Sequence, residues 1–432
     1  MRARLRQLFE TLLGSFWVLP ALIILGAISL AEILINSERF VGSPPASLAR
    51  WLYSGGETGA RTLMGAIAGS TIGVAGTVFS ITIATLTLAS SQMGPRLLSN
   101  FTRDRGNQAT LGIYLGTFAY ALVVLRTVRG ADQGAFVPGI AISGGILLAL
   151  LCVGMLVYFV DHVSNRINFD TVIHLVSSDL NEMLMEITDI EEQPDPPGAD
   201  YWEGGCTLSD SRRGYIQQLD EDAIADWACE NKTAMRLNAR AGDFVYPGAP
   251  LARLNPPVKG GQDILHDALV IGHYPTASGD TEYAVGQLVD IAVRALSPGV
   301  NDPRTALRVI DQLAGSLCSI AGRRLPNGVI ARGGSVRLQR DTTDYRGLCD
   351  AMFHIIRQSA AGTPSVLIHM VEVLERVACC EPCPDRLAEL RRHALLLRED
   401  GLRTIANESD RATLEQRMGR LLKATAPGEQ AS

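Results

Sequence analysis

Small and hydroxyl-bearing residues recur at helical spacing between residues 62 and 91, and their side chains could line a path for ions. Residues three or four positions apart share one face of a helix. One such face contains only small or hydroxylated residues, namely Ser70, Gly73, Thr77, Ser80, Ala84, Thr87 and Ser91. A neighbouring ridge of the same segment consists of Gly65, Gly69, Gly73 and Gly76. We expect the larger side chains Ile72, Phe79, Ile83 and Leu86 on the opposite side.

Two interpretations of this stripe are open. Small residues and hydroxyl groups let membrane helices pack closely and form hydrogen bonds, so the stripe is compatible with tight packing inside one subunit. Alternatively, copies of the segment surround an axis, and their hydroxyl groups and carbonyl oxygens line a narrow aqueous pore. The two interpretations overlap, because a pore made from several copies also needs close packing.

Three arginines follow this segment, after the Gly94-Pro95 pair that ends the helix. Arg96, Arg103 and Arg105 could attract anions to the mouth of a pore or contact lipid phosphates. These arginines could also simply anchor the helix end at the cytoplasmic side of the membrane, as positive residues commonly do, and we favour that interpretation.

A third set of polar residues surrounds a predicted break between two helices in the second half of the chain. Asp290 and Arg294 are spaced to pair on one helix, which stops at Ser297-Pro298-Gly299. The next helix restarts with Asp302 as its N-cap and Pro303 as its first residue. Asn301 and Arg304 flank this start. These residues could bind a ligand or a cation, but we favour a structural role in a capped turn.

Catalysis finds little support in the sequence. The chain lacks the zinc-protease, P-loop, dinucleotide-binding and nucleophile-elbow motifs. Cys380 and Cys383 form a C-x-x-C pair without a second pair or a nearby pair of histidines, so we expect no metal site there. The seven histidines are likewise not spaced as ligands. We therefore expect neither an enzyme nor a cofactor.

Charge divides the 432 residues into two unlike parts. Residues 1–160 contain 11 arginines and six carboxylates, about 11 % charged residues with a net charge of +5. The remaining 272 residues contain 28 basic and 39 acidic side chains, about 25 % charged with a net charge of −11. Such a division predicts a membrane domain followed by a soluble acidic module, and it argues against nucleic-acid binding.

Four apolar segments predict four membrane-spanning helices within residues 1–165. Their expected bounds are about 16–35, 62–90, 110–128 and 136–160, and about 20 apolar residues suffice to cross a bilayer. No ionisable residue occupies the middle of any segment, which argues against a proton-coupled pump and a voltage sensor. Six arginines on one side against five on the other favour a cytoplasmic N-terminus and a cytoplasmic C-terminal module in a bacterial inner membrane.

The soluble half is predicted to be an α+β module in three parts. Residues 166–210 form a helix and a Pro-rich connection, 211–256 a small β-barrel-like segment, and 257–432 a mostly helical α/β subdomain. Within the second part, Gly242 to Leu251 alternates turn residues and hydrophobic residues as in a tight hairpin. It is similar to the hairpin of biotinyl or lipoyl domains, although Lys232 lacks the usual modification context.

Several stretches together resemble a known family. They are Thr77-Val78-Phe79-Ser80-Ile81-Thr82, Ala89-Ser90-Ser91-Gln92, Pro95-Arg96-Leu97-Leu98, and the block from Gln287 through Ser297-Pro298-Gly299-Val300-Asn301-Asp302-Pro303. The chain resembles the bacterial "predicted membrane protein" family, domain of unknown function twenty-two fifty-four. The resemblance implies four membrane helices and a cytoplasmic C-terminal domain, and it implies no activity and no catalytic residues.

The sequence therefore favours a homo-oligomeric channel whose second membrane helix lines the pore and whose cytoplasmic module gates or assembles it. The expected partners are membrane lipids, further copies of the chain and inorganic ions, without nucleic acid. The alternative is a non-conducting membrane scaffold or sensor whose cytoplasmic module binds a ligand or a partner.

Overall fold

The computed structural model describes residues 16–41, 52–93, 104–129, 136–166, 169–189, 193–274 and 281–426. Contacts between residues divide the described chain after residue 168. The part before that position is called the membrane unit here, and the part from Phe169 onward is called the soluble unit. Each unit is described separately.

The membrane unit consists of four long apolar helices. They are α1 (Val18–Val41), α2 (Glu57–Met93), α3 (Arg105–Thr127) and α4 (Gly139–Arg166). Each helix is long and apolar enough to cross a membrane, with candidate spans of 23 to 31 residues. This confirms four candidate membrane helices, as the sequence predicts, and α2 begins five residues earlier than the predicted start at residue 62.

Helix α3 packs against the other three helices, and small residues allow the closest of these approaches. A Cβ added to Gly112 would lie 3.0 Å from the Cα of Pro20 on α1, and one added to Gly116 would lie 3.3 Å from the Cβ of Ala27. The apolar run of α3 includes Tyr114 and Tyr120, which are buried within the unit. The glycines therefore bring α1 and α3 into backbone contact.

Buried hydroxyl groups and one carboxylate attach α4 to the other helices. The hydroxyl of Tyr114 donates to the carbonyl of Cys152 at 2.7 Å, and that of Tyr120 donates to the carbonyl of Ala141 at 2.6 Å. The carboxylate of Glu38, near the end of α1, accepts hydrogen bonds from the first backbone amides of α4 at 2.8 and 3.1 Å. A negative charge is favourable there because the amides at a helix N-terminus lack internal partners.

The strands of the soluble unit form two sheets. Five strands lie in the order β1-β5-β3-β8-β7, and three lie in the order β4-β2-β6. The bounds are β1 Cys206–Ser209, β2 Gly214–Leu219, β3 Ala234–Leu237, β4 Phe244–Val245, β5 Pro250–Asn255, β6 Leu269–Gly272, β7 Val329–Arg332 and β8 Ser335–Arg340. All pairs are antiparallel except β3 with β8.

The hairpin expected between Gly242 and Leu251 does not form. Strand β4 pairs with β2, whereas β5 pairs with β1 and β3, so the two strands belong to different sheets. No closed barrel forms among the described strands, and the barrel-like detail for residues 211–256 is therefore not confirmed. The reason is that β3 finds its second neighbour in β8, about a hundred residues later in the chain.

Helices make up the rest of the soluble unit. They are α5 (Phe169–Ile187), α6 (Glu221–Glu230), α7 (Gly261–Ala268), α8 (Thr281–Ala295), α9 (Pro303–Ser319), α10 (Tyr345–Ser359), α11 (Pro364–Cys380), α12 (Pro384–Thr404) and α13 (Glu408–Ala424). The mixture of helices and sheets confirms the α+β character of this half. The break between α8 and α9 lies where the sequence predicts it.

A network of charged groups around the buried His393 joins α10 to α12. Asp350 lies at the centre, with its Oδ1 2.6 Å from a guanidinium nitrogen of Arg392 and 3.1 Å from Nε2 of His393. His393 is fully buried, and this burial lowers the pKa of its imidazole to about 4, assisted by the positive charge of Arg392. The imidazole is therefore neutral in the folded protein near pH 7.

This burial predicts a pH dependence of stability. The unfolded chain protonates His393 below its ordinary pKa of 6.5, whereas the folded protein does so only near pH 4. The free energy of unfolding should therefore fall between pH 6.5 and 4, by up to about 3 kcal/mol. Denaturant titrations of the solubilised chain at several pH values measure this free energy. His393→Gln should flatten this slope, whereas the exposed control His174→Gln should retain it. An equal slope in His393→Gln would refute the assignment.

Candidate functional site

The predicted stripe lies on the outward side of α2. Every member with a described side chain is exposed in the membrane unit: Ser70, Gly73, Thr77, Ser80, Ala84 and Thr87. Ser91 belongs to the same helix, but its side chain lies outside the described residues. Packing against the other described helices of the membrane unit therefore does not account for the stripe. Pore lining itself stays a prediction.

The exposed surface around the stripe is composed of small residues along most of the helix. The four glycines of the neighbouring ridge are exposed, and a Cβ added to any of them would meet no atom within 4 Å. Thr58, Thr62 and Ala66 extend the same surface toward the start of α2. We call this surface the α2 outer face, defined by Thr58, Thr62, Gly65, Ala66, Gly69, Ser70, Gly73, Gly76, Thr77, Ser80, Ala84 and Thr87.

The large side chains of α2 are distributed differently from the sequence expectation. The buried side consists of Ala60, Met64, Ile67, Ala68, Thr71, Ala75, Val78 and Thr82. Ile72, Phe79 and Ile83 are 41 to 49 % exposed and border the α2 outer face instead of lying opposite to it. The expectation of an opposite apolar ridge is wrong for these three residues. Met64, Ile67 and Val78 occupy the inner side of α2 instead.

Hydroxyl groups on the α2 outer face already donate within their own helix. Thr77 donates to the carbonyl of Gly73 at 3.3 Å, and Ser80 donates to the carbonyl of Gly76 at 2.9 Å. The same pattern holds for Thr62, Ser70 and Thr87. The hydroxyl donors of these five residues are therefore satisfied, and each of their oxygens still has lone pairs available as acceptors. Such a face can lie against another helix or against water.

The outward side of α4 shows how different the α2 outer face is. On α4, the exposed residues are mainly large and apolar, including Leu147, Leu150, Val153, Val157 and Val160. Side chains of this kind suit contact with lipid hydrocarbon. The outward side of α1 has the same character, with Leu22, Leu25 and Ile33 exposed. Among the described membrane helices, small residues thus dominate the outward side of α2.

The arginines after α2 are only partly described. Arg96 and Arg103 lie outside the described residues, and Arg105 is exposed at the first position of α3. Beside it is a pair that the sequence analysis missed: Nε2 of His162 lies 2.8 Å from Oδ2 of the buried Asp104. Asp104 also accepts from the backbone amide of Gly106 at 2.8 Å. An aspartate directly before a helix signals an N-cap, but its histidine partner 58 residues later has no sequence signal.

The break between α8 and α9 is closed by hydrogen bonds within the turn. The hydroxyl of Ser297 donates to the carbonyl of Arg294 at 2.7 Å, and the amide of Asp302 donates to the carbonyl of Ala295 at 2.8 Å. Asn301 has φ +48°, in the left-handed region that asparagine tolerates better than most residues. These contacts stabilise a sharp turn.

Asp302 caps α9 as the sequence predicts. Its carboxylate accepts from the amide of Thr305 at 3.3 Å and from the hydroxyl of Thr305 at 2.6 Å. The hydroxyl bond is the main reason why the pKa of this carboxyl is below its usual value. Arg294 and Arg304 are exposed on either side of the turn, and Asp290 is half-buried. The described contacts of Asp302 are therefore those of a helix cap.

Comparison with known proteins assigns the chain to a family. The model of the family described as "Predicted membrane protein (DUF2254)" matches residues 14–376. The chain belongs to this family. The match includes all four membrane helices and the α8–α9 turn, and it extends into α11.

Relatives of this DUF2254 protein are found in mycobacteria. The uncharacterized proteins MT1328 of Mycobacterium tuberculosis and Mb1321c of Mycobacterium bovis are each 32 % identical to it over 444 aligned positions. Each alignment includes 98 % of this chain and 83 % of the relative. No solved structure matches the chain.

Removal of the α9 cap in this DUF2254 protein should destabilise the soluble unit. Asp302→Ala is expected to lower the free energy of unfolding by about 1 kcal/mol at pH 7, because two hydrogen bonds at the helix start are lost. Asp302→Asn should lose less, since its amide oxygen can still accept. Denaturant titration measures the difference, with Asp341→Ala on an exposed loop as the control. If Asp302→Ala is no less stable than this control, the capping role is wrong.

Proposed function

We propose that this protein forms a homo-oligomeric membrane channel in which the α2 outer faces of several copies surround an ion path. The observation that supports the proposal is the exposure of a continuous small-residue surface along α2, while α1 and α4 direct large apolar side chains outward. The proposal has two steps, assembly of several copies and conduction of ions.

Assembly follows from the physics of helix contact in a bilayer. Lipid tails are as apolar as leucine side chains, so helices associate through close van der Waals contact and not through a hydrophobic driving force. Gly65, Gly69, Gly73 and Gly76 leave the backbone of α2 open to such contact. In the described subunit no helix uses this opening, and a second copy of α2 is the partner we propose.

Conduction is supported by the chemistry of the same face. A narrow path needs polar groups that can replace part of the hydration shell of an ion. Thr77, Ser80 and Thr87 provide hydroxyl oxygens at successive levels of the helix, and the exposed face between Thr62 and Thr87 has no charged residue. Glu57 and Arg61, whose side chains are 3.0 Å apart, lie at the start of α2. We therefore propose that an inorganic ion passes along this face.

The soluble unit is proposed to gate or assemble the channel through α5. Only two residues separate Arg166 at the end of α4 from Phe169 at the start of α5. Within the soluble unit, Asp170 near the start of α5 pairs with Arg308 of α9. At the other end, the Arg323 guanidinium donates to the carbonyl of Thr188 at 2.7 Å. We therefore propose that α5 transmits changes in the soluble unit to α4 through the chain connection between them.

We place the protein in a bacterial inner membrane with the soluble unit in the cytoplasm, on the basis of the arginine distribution described above. Membrane lipids then contact the apolar sides of α1 and α4. The alternative function is a non-conducting scaffold or sensor. The glycine ridge of α2 supports this alternative, because close packing of helices through glycines does not require a pore.

Assembly is tested by a large side chain on the glycine ridge. Gly76→Leu, on the glycine ridge but outside the stripe, should shift the protein toward smaller species in native mass spectrometry from detergent, because the leucine blocks helix contact. Gly154→Leu is the matched control, since Gly154 is exposed on α4 and also has no atom within 4 Å of an added Cβ. A wild-type monomer, or equal behaviour of both variants, would contradict assembly through α2.

Conduction is tested in planar bilayers that contain the purified full-length chain. Ser80→Leu and Thr77→Leu should reduce or abolish single-channel current without a change in oligomer size. Ser29→Leu is the matched control, because Ser29 is an exposed hydroxyl on α1 that also donates within its own helix at 2.8 Å. Intact oligomers that remain silent over a wide range of voltage, tension and pH would favour the scaffold.

A further inference from the structure

The five-stranded sheet of the soluble unit has one polar face that contains several arginines. Its other face is apolar, because Met235, Leu254 and Leu338 of three adjacent strands are fully buried in the core. Strand alternation directs the neighbouring residues to the opposite side. There, Arg236 of β3 lies directly across from Arg253 of β5 and beside Gln339 of β8.

A third arginine joins this row. Arg337 precedes Gln339 by two positions on β8, and its guanidinium donates to the carbonyl of Thr233, just before β3. Residues directly opposite on neighbouring strands have Cβ atoms about 5 Å apart, and diagonal neighbours are about 7 to 8 Å apart. Arg236, Arg253 and Arg337 thus lie within reach of one small ligand. We call them the arginine row.

The arginine row places like charges on adjacent strands of an acidic unit. Like charges directly across strands destabilise a sheet, so the Arg236–Arg253 pair has an energetic cost. No described carboxylate forms an ion pair with any member of the row. Several other arginines of the unit are paired, for example Arg212 with Asp210 at 2.5 Å, Arg240 with Glu282 at 2.9 Å, Arg340 with Glu221 at 2.7 Å and Arg392 with Asp350 at 2.6 Å.

Trp202 contacts residues on both sides of Arg236. Its indole Nε1 donates to the side-chain oxygen of Gln339 at 3.0 Å, and its carbonyl accepts from Arg253 at 3.3 Å. Trp202 therefore extends over the strand that contains Arg236. The Nε atoms of Arg236 and Arg337 are buried without a hydrogen-bond partner among the described residues. Buried donors of this kind are costly unless a ligand or water satisfies them.

We propose that the arginine row binds the phosphate group of an anionic ligand. A guanidinium presents paired N–H donors that match two oxygens of a phosphate, and several guanidiniums together offset its double charge. Binding would satisfy the orphaned Nε donors and relieve the repulsion between Arg236 and Arg253. The site does not depend on whether α2 forms a pore.

The phosphate can come from a soluble phosphorylated molecule or from a lipid headgroup, and the experiment separates these sources. The full-length protein is placed in nanodiscs of phosphatidylcholine, and pyrophosphate is added as the soluble probe. In a second arm, phosphatidic acid replaces part of the lipid and no pyrophosphate is added. Hydrogen–deuterium exchange is then measured for β3, β5, β8 and the Trp202 segment.

A soluble ligand predicts slower exchange in these strands with pyrophosphate, and a lipid ligand predicts slower exchange only with phosphatidic acid. In the arm that responds, Arg236→Gln should weaken binding about tenfold or more, as expected for loss of a charge-assisted hydrogen-bond donor. Arg391→Gln, which removes an exposed arginine from α12, should bind as the wild type does. No protection in either arm, or equal effects of both substitutions, would overturn the proposal.

Stability without ligand separates binding from a purely structural role. Without phosphate, Arg236→Gln should leave the free energy of unfolding unchanged or raise it, because it relieves the repulsion with Arg253. If Arg236 instead supports the sheet by packing, the same substitution lowers stability in the absence of phosphate. That result would also overturn the proposal.

Discussion

The architecture of the membrane unit depends on close contact between helix backbones in a solvent that does not itself drive helices together. Helix α3 meets α1 at Gly112 and Gly116, and this contact shows how the subunit uses small residues for packing. Helix α2 has a longer series of small residues, but they point away from α3. Small-residue surfaces thus occur twice in the membrane unit. One, at Gly112 and Gly116, packs against α1 inside the subunit, and the other, the α2 outer face, has no helix packed on it among the described residues. We propose that a second copy of the chain packs against the α2 outer face.

The sequence could predict the helices of the membrane unit because their apolar length is a local property. It also predicted which residues of α2 share a face, since helical spacing fixes that. It could not show whether Thr77 and Ser80 face a neighbouring helix, because that depends on which side of α2 meets α3. Ile72 and Phe79 illustrate the limit: spacing separates them from the stripe, but only packing shows that they border the same exposed surface. The Asp104–His162 pair was invisible for a similar reason.

In the soluble unit, local signals were reliable and long-range pairing was not. The Asp302 cap and the Pro303 start of α9 follow from residues in contact along the chain. The hairpin from Gly242 to Leu251 was wrong, because strands distant in sequence compete for β4 and β5. The arginine row arises from the same long-range pairing, since the partnership of β3 with β8 brings Arg337 beside Arg236. An arginine on the polar face of a strand has no distinctive pattern, so only the register reveals the cluster.

Intermolecular crosslinking at α2 tests the central claim most directly. The eight native cysteines are first replaced by serine, and Thr77→Cys or Leu147→Cys is then introduced into the full-length chain. Oxidation in native membranes should join copies through Thr77→Cys, because the α2 outer faces meet around one axis. Leu147→Cys on the outward side of α4 should stay monomeric on denaturing gels. Efficient crosslinking through Leu147→Cys and none through Thr77→Cys would contradict the proposed assembly.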